Sequence, residues 1–326
     1  MAKKKLLVLI GIALFAFILL NINIGKLLGI LANANPAFFA IALALALLTG
    51  FMKGVKWREV IRAHDSDFPL RKCIKVFFIG YFISVFTPAR IGDFARAFYL
   101  QKNTKSLGKA LSTVFIDRLI DVSLLFVLGL LAIAGFALLF DIVVIPLHYL
   151  ALIVLAFIAA VFLFLRRNFI GRIAKPFYNM FVPMEHKEKL KTSFHDFYDS
   201  FAHAIKKGKI HISRAVAIAV FDWLLAIVFA YMLIIALNLH AQIPIIFLFL
   251  LVPIAALLDL LPISISGIGT RDAAFLFLFG FYSIVPEMAI AYSLLYLFAG
   301  YWFSALIGAL LFSTEPVKLG LSESNE

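Results

Sequence analysis

The chain carries one cysteine, Cys73, in 326 residues, so no internal disulfide can form and a thiolate metal site has no second ligand. Its seven histidines show no His-x-x-x-His or His-Glu pairing on an apolar run. His64, His186, His195, His203 and His211 fall instead in polar connections, which argues against a metalloenzyme. No glycine-rich loop ending in Gly-Lys-Ser/Thr is present, so the sequence offers no phosphate-loop motif for binding ATP. An intramembrane aspartyl protease needs two facing aspartates, one in a Gly-x-Gly-Asp context; Gly92 precedes Asp93 here, but position 90 is arginine. No catalytic residue, metal or other cofactor is expected. Charge is scarce as well, at 15% of residues.

What fills the chain is apolar: 64% of residues are hydrophobic, which requires several membrane-spanning segments. Runs near the ~20 residues needed to cross the hydrocarbon core lie at 6–24, 36–56, 112–138, 143–165, 215–238 and 287–312. The first follows Lys3-Lys4-Lys5 but has no convincing small-residue cleavage site, so it reads as a retained helix and not a signal peptide. Two more apolar regions, 74–100 and 243–283, are interrupted by Pro/Gly/Arg/Asp clusters at 87–96 and 262–272.

The basic residues decide how those two regions run. A single crossing of 74–100 would put Lys102, Lys105 and Lys109 opposite Arg71, Lys72 and Lys75, against the lysine and arginine bias that orients membrane proteins. A re-entrant pair that descends to Pro88 and returns removes the conflict, and re-entry is tolerable only against protein or a polar cavity. With 243–283 as a matching pair from outside, 25 of the 30 basic residues fall on the cytoplasmic side. Lys26 alone falls outside, and Arg90, Arg96, Arg118 and Arg271 lie within the membrane. The net charge of +12 is then a topology signal and not a nucleic-acid footprint.

The expected fold is therefore an all-α polytopic membrane protein, a single domain with about six spanning helices and two re-entrant pairs arranged as an inverted repeat. The halves run about 1–140 and 141–314, with a basic cytoplasmic segment at 166–214 and a tail at 315–326. Both termini are expected in the cytoplasm, with the protein in the cell membrane. Ile91-Gly92 and Phe98 repeat the spacing of Ile268-Gly269 and Phe275, one sign of the repeat. Discontinuous helices from inverted halves form transporter sites near the midplane. Leu190, Phe194, Phe197, Phe201 and Ile205 recur at helical spacing, marking an amphipathic helix that covers the bundle or lies among anionic headgroups.

Ionisable residues inside a membrane are the candidates for function. Asp93 and Arg96, three apart, can pair on one face and leave Arg90 free; the three sum to +1, which favours an anion. Asp117 and Asp121 share a face, and Arg118 cannot serve both equally, so a partner such as Arg90 or Arg96 is expected from another element. In the second break, Ser266, Gly267 and Gly269 offer backbone N–H groups at a helix start, where anions are attracted. Arg271 and Asp272 follow, and Asp259 lies just before, within reach of Arg271. Each of these residues also has a structural reading as an ion network or a packing glycine. The single acid Asp222 is equally compatible with a hydrogen-bonded packing role.

Thr87-Pro88-x-Arg90-x-Gly92-Asp93-x-x-Arg96, Asp117-Arg118-x-x-Asp121 and Ser266-Gly267-x-Gly269-x-Arg271-Asp272 together resemble the flippase-like transmembrane domain of lysylphosphatidylglycerol synthases and their stand-alone bacterial and archaeal relatives. The resemblance spans nearly the whole chain. It implies movement of a lipid or lipid-linked headgroup between leaflets, with aminoacylated phosphatidylglycerol the substrate in the synthases and polyprenyl-linked sugars suspected for archaeal relatives. The soluble aminoacyl transferase domain of the synthases has no counterpart in the sequence, and Asp272 stands where glutamate is commoner. The expected partners are membrane lipids, anionic or polyprenyl-phosphate-linked, and no nucleic acid; a homo-oligomer stays open. Two rivals remain at this point: a proton-coupled carrier of a small anion, and a non-transporting membrane scaffold.

Overall fold

The computed structural model describes residues 2–141, 146–165, 184–260, 264 and 266–314. The expected tail at 315–326, residues 166–183 of the basic segment expected in the cytoplasm, and Pro262, Ile263 and Ile265 of the second break lie outside the described residues. The described chain is helical and carries no strand. Four of its helices are long and apolar enough to cross a membrane: α3 (Pro36–Arg62), α6 (Leu107–Phe140), α9 (Lys209–Ala236) and the stretch Pro286–Thr314. That last stretch is α12 (Pro286–Leu297) and α13 (Phe303–Thr314), joined through a π-helical turn at Phe298–Trp302. Pro36 stands at the first turn of α3, where Asn35 accepts from the Ala37 N–H, and Ser106 caps α6 by accepting from the Lys109 N–H at 3.2 Å.

The expected first spanning run is not one straight helix. α1 (Ala2–Leu20) gives way to α2 (Ile24–Ala32) across a 94° bend, because Asn23 starts a new helix by capping Lys26. Counted as one span, the bent pair brings the total to five among the described residues, against the six expected. The run at 143–165 is helical as α7 (Leu147–Leu165), with Leu152, Leu155 and Ile158 exposed and Phe157 stacked on Phe126 of α6 at 3.9 Å. The arrangement is inside-out relative to a soluble protein: Leu138 is 87% exposed while Arg96, Asp117 and Arg271 are fully buried.

Both interrupted regions fold back on themselves. α4 (Leu70–Val85) is followed by a 3-10 turn at Pro88–Ala95 and by α5 (Arg96–Thr104). Asn103 donates to the carbonyl of Asp67 at 2.8 Å, so the returning chain ends where it set out. Gly92 lies so close to the backbone of Ile83 and Ser84 that a side chain there would overlap it. In the second region, α10 (Ile245–Leu260) and α11 (Thr270–Gly280) close in the same way, with Phe247 4.8 Å from Tyr282 ring to ring.

The two hairpins enter from opposite ends of the bundle. α3 and α9 run antiparallel, tied by Asn35 N–H to Ala236 O at one end and by His211 to Glu59 at the other. The first hairpin has its base beside Trp57, Phe68 and Ala110, near the Glu59 end. The second has its base at the far end of α6, where Phe140 contacts both Phe247 and Phe281. Their tips meet in the middle, where the Ser266 hydroxyl donates to the carbonyl of Val85 at 2.7 Å. The amphipathic helix α8 (Met184–Lys207) lays Phe197 and Phe201 on Phe115 of α6. Its apolar stripe therefore covers the end of the bundle.

Candidate functional site

Where the hairpin tips meet, a cavity of about 350 Å³ opens between α3, α4, α6, α9, α10 and the π turn. Its wall is largely apolar, including Phe78, Leu125, Trp223, Phe229 and Val252. Into it project three cations, Lys53, Arg90 and Arg118, and three acids, Asp121, Asp222 and Asp259. A mostly apolar pocket of a few hundred cubic ångström with a few convergent polar groups is the usual form of a small-molecule site.

Behind the cavity wall lies a denser ion network. Lys56, 1% exposed, places its Nζ 2.9 Å from Asp117 Oδ1 and 2.5 Å from Asp121 Oδ1. Arg96 donates through Nη2 to Asp117 Oδ2 at 2.9 Å and through Nε to the backbone carbonyl of Asp93 at 3.1 Å, with Trp57 and Phe77 on its faces. The expected Asp93–Arg96 side-chain pair is therefore replaced: Asp93 receives Arg118 Nη1 at 2.9 Å, and Arg96 turns to the second acid on α6. The expectation that Asp117 takes an arginine from another element holds, with Arg96 as that arginine. Arg118 also lies 3.4 Å from Asp121, and Lys53 lies 2.7 Å from Asp222.

Arg90 is the exception in this network. Its backbone sits at φ 56°, a left-handed conformation that a bulky residue rarely adopts, and this sets the side chain over Tyr81 at the mouth of the turn. Its Nε reaches Ser84 Oγ at 3.4 Å and Asp93 Oδ2 only at 3.9 Å. Both Nη atoms are without a hydrogen-bond partner among the described residues.

The second tip is built differently from the expected open helix start. Asp272 accepts from the Gly269 N–H at 2.7 Å and from the Ser293 hydroxyl, so the start of α11 is already occupied by the chain's own carboxylate. Gly269, at φ 85°, packs against the backbone of Gly11, where any side chain would overlap. Gly267, at φ 76°, leaves room for the Asp259 carboxylate, which a Cβ would strike. Arg271 is fully buried between the rings of Tyr296 and Tyr301, donates to the Ser266 carbonyl at 3.0 Å, and lies 3.7 Å from Asp259 Oδ1. A smaller pocket between the tips is lined by Arg90, Asp259, Ser264, Ser266 and Tyr301.

Of the residues singled out from the sequence, Arg90, Arg118, Asp121, Asp222 and Asp259 line the main cavity, and Arg90, Asp259 and Ser266 line the small pocket. Asp93, Arg96, Asp117 and Arg271 support them from behind, while Gly267, Gly269 and Asp272 shape the second tip. Sequence reasoning missed Lys53 and Lys56, assigned to the cytoplasmic loop, and the tyrosines Tyr81, Tyr296 and Tyr301. A signal for the lysines existed: six aspartates in apolar runs faced only four arginines. With both lysines the balance is even, so the surplus charge read from Arg90, Asp93 and Arg96 does not describe the site as a whole. Among the described residues no cluster of His, Cys, Asp and Glu could hold a metal ion.

This arrangement falls within a known family. The family described as "Lysylphosphatidylglycerol synthase TM region" matches residues 6–308, a span that takes in both hairpins and the whole ion network. The chain belongs to that family. Among similar proteins is the UPF0104 membrane protein MJ1595 of Methanocaldococcus jannaschii, 26% identical over 94% of this chain and 93% of that protein. A UPF0104 membrane protein of Methanothermobacter thermautotrophicus is 23% identical over 94% of each chain. The UPF0104 membrane protein PH1989 of Pyrococcus horikoshii is 23% identical over 95% of this chain and 96% of its own. The family and these relatives make the chain a multi-pass membrane protein, as its apolar helices require.

Proposed function

We propose that this member of the family is a transporter that moves an anionic, phosphate-bearing amphiphile between leaflets of the cell membrane, and is not an enzyme. One observation carries the reading: among the described residues, Arg90 is the one cavity cation with no acid within 3.5 Å, and its two Nη donors, unpaired there, face an apolar-walled chamber. Four cations (Lys53, Lys56, Arg96, Arg118) each have an aspartate within 3 Å. A guanidinium with its fork open matches phosphate oxygens bidentately, and the phenyl and aliphatic wall suits the apolar part of the molecule. The opposed hairpins support a pseudo-twofold inverted repeat, in which each half exposes the site to one side in turn. Cytoplasmic termini follow from the same basic-residue asymmetry that orients α3 and α9.

The decisive test is leaflet exchange of fluorescent phospholipids in liposomes carrying the purified protein. Wild type is expected to exchange lipids with a phosphate headgroup. Arg90→Gln is expected to slow exchange about 10- to 100-fold, the loss of a charged hydrogen bond of about 1.5–3 kcal/mol. Absence of exchange for phosphatidylglycerol, phosphatidic acid and polyprenyl phosphate alike would overturn the proposal, and so would full activity in Arg90→Gln. Uptake of inorganic phosphate without lipid exchange would favour a carrier of small anions.

A further inference from the structure

Resting on the reading of the cavity as an anion site, we infer that Asp259 takes up a proton when the anion binds, so that headgroup and proton cross the membrane together. The inference starts from a comparison of the six membrane-embedded aspartates. Asp93, Asp117, Asp121 and Asp222 each have a lysine or arginine nitrogen within 3 Å. Asp272 is satisfied by a backbone N–H and a serine hydroxyl. Asp259 differs from all of them. Its side chain is 7% exposed and its nearest cation is Arg271 at 3.7 Å. Its Oδ1, like Oδ1 of Asp93 and of Asp222, has no hydrogen-bond partner among the described residues, but unlike those acids it has no cation within 3 Å to compensate. Arg271 turns Nη1, its closest nitrogen, to the Ser266 carbonyl instead, and its Nε and Nη2 make no hydrogen bond to the acid. Among the described residues only the Tyr301 hydroxyl donates to Asp259, to its Oδ2.

A buried carboxylate held this weakly is the one most readily neutralised by a proton, which gives the bare Oδ1 a hydrogen to share. The other charged and titratable groups around it are Arg271 and Asp272 of α11, Tyr296 of α12, Arg90 of the first hairpin and Tyr81 of α4. Arg90 is the informative neighbour, because Arg90 and Asp259 line both the main cavity and the small pocket between the tips. Without substrate, Arg90 faces Asp93 Oδ2 at 3.9 Å on its own hairpin and Asp259 across the small pocket that both line. A phosphate on Arg90 adds a negative charge to that pocket and repels the Asp259 carboxylate. By linkage, anion and proton then each strengthen the binding of the other. Proton and singly charged headgroup move as a neutral pair, without work against the membrane potential.

The test uses purified full-length protein in a weakly buffered detergent solution, titrated with dihexanoylphosphatidylglycerol between pH 5 and 8. Its diester phosphate does not titrate in that range, so any proton taken up is the protein's. Wild type is expected to bind the lipid and take up as much as one proton per lipid, with uptake passing through a maximum in pH. Asp259→Asn, which keeps the size of the side chain, is expected to bind with no uptake. Tyr301→Phe, which removes the one hydroxyl on the carboxylate, is expected to move the uptake maximum to higher pH, a shift that a merely structural role would not produce. Binding without proton uptake in wild type, undiminished uptake in Asp259→Asn, or an unmoved maximum in Tyr301→Phe would each overturn the inference. No binding of phosphatidylglycerol together with no lipid exchange would instead overturn the anion site on which it rests.

Discussion

Replacing Lys56 with methionine removes one charge from the centre of the ion network while keeping most of the side-chain volume. The lysine makes contacts of 2.9 Å and 2.5 Å to Asp117 and Asp121. Each corresponds to a gross attraction of about 6 kcal/mol at an effective dielectric constant of about 20. Burying the three ions costs several kcal/mol apiece, so most of that attraction is offset. The measurable quantity is the cost of leaving two carboxylates, four residues apart on one helix face, short of a cation. Breaking a buried pair in this way costs about 3–5 kcal/mol. The charge-balanced double variant Lys56→Met/Asp121→Asn leaves Asp117 with Arg96 at 2.9 Å and is expected to recover at least half of the loss. Equilibrium unfolding of wild type, Lys56→Met, Asp121→Asn and the double variant in detergent micelles measures this, read as a double-mutant cycle. A single variant as stable as wild type, or a double variant less stable than the single, would refute the account of the network.

Two further outcomes are open to measurement. His64, just beyond α3, is 2% exposed; its Nδ1 lies 2.8 Å from the Val60 carbonyl and its Nε2 2.9 Å from Ser112 Oγ, and burial pushes its pKa down to about 4. Because the folded value lies below the ordinary one, the unfolded chain takes the proton first as pH falls. Stability should therefore drop by about 3 kcal/mol between pH 6.5 and 4, and His64→Gln should flatten that part of the unfolding-versus-pH curve. The hairpin geometry makes a topological prediction: a cysteine placed at Lys102 and one placed at Asp67 should react with an impermeant maleimide from the same side of the membrane. Labelling from opposite sides would mean that 74–100 crosses the bilayer.

The two breaks were legible in the sequence because proline, glycine and charge interrupt apolar runs there, and lipid gives such residues no other home. The need of Asp117 and Asp121 for a foreign cation was legible for the same reason. Lys53 and Lys56 were hidden by a hydropathy boundary. They come where the apolar run fades, and counting by loop placed them in the cytoplasm. In a helix, however, each Cα–Cβ bond tilts toward the N-terminus, and α3 runs toward the Glu59 end of the bundle, so both side chains lean back toward its middle. The exchange of partners between Asp93 and Arg96 was hidden by tertiary structure, because α6 brings Arg118 and Asp117 to the turn and local spacing says nothing of that. The bend at Asn21–Asn23 could have been read from the capping asparagine had the run not looked continuous enough to span.

The distribution of the ion pairs along the chain bears on how the protein is made. Lys56, Asp93, Arg96, Asp117, Arg118 and Asp121 all lie between residues 56 and 121, and they pair among themselves. Asp259 and Arg271, likewise, face each other within the second hairpin. Among the described cations that line the cavity, Lys53 is the one paired within 3 Å to a distant residue, Asp222 of α9. A chain that leaves the ribosome from its N-terminus can thus neutralise its first hairpin as soon as α6 has been synthesised, before any of the second hairpin exists. Lys53–Asp222 is then the stitch that records the arrival of α9, and a charge swap at that pair would act on late assembly while leaving the early half intact.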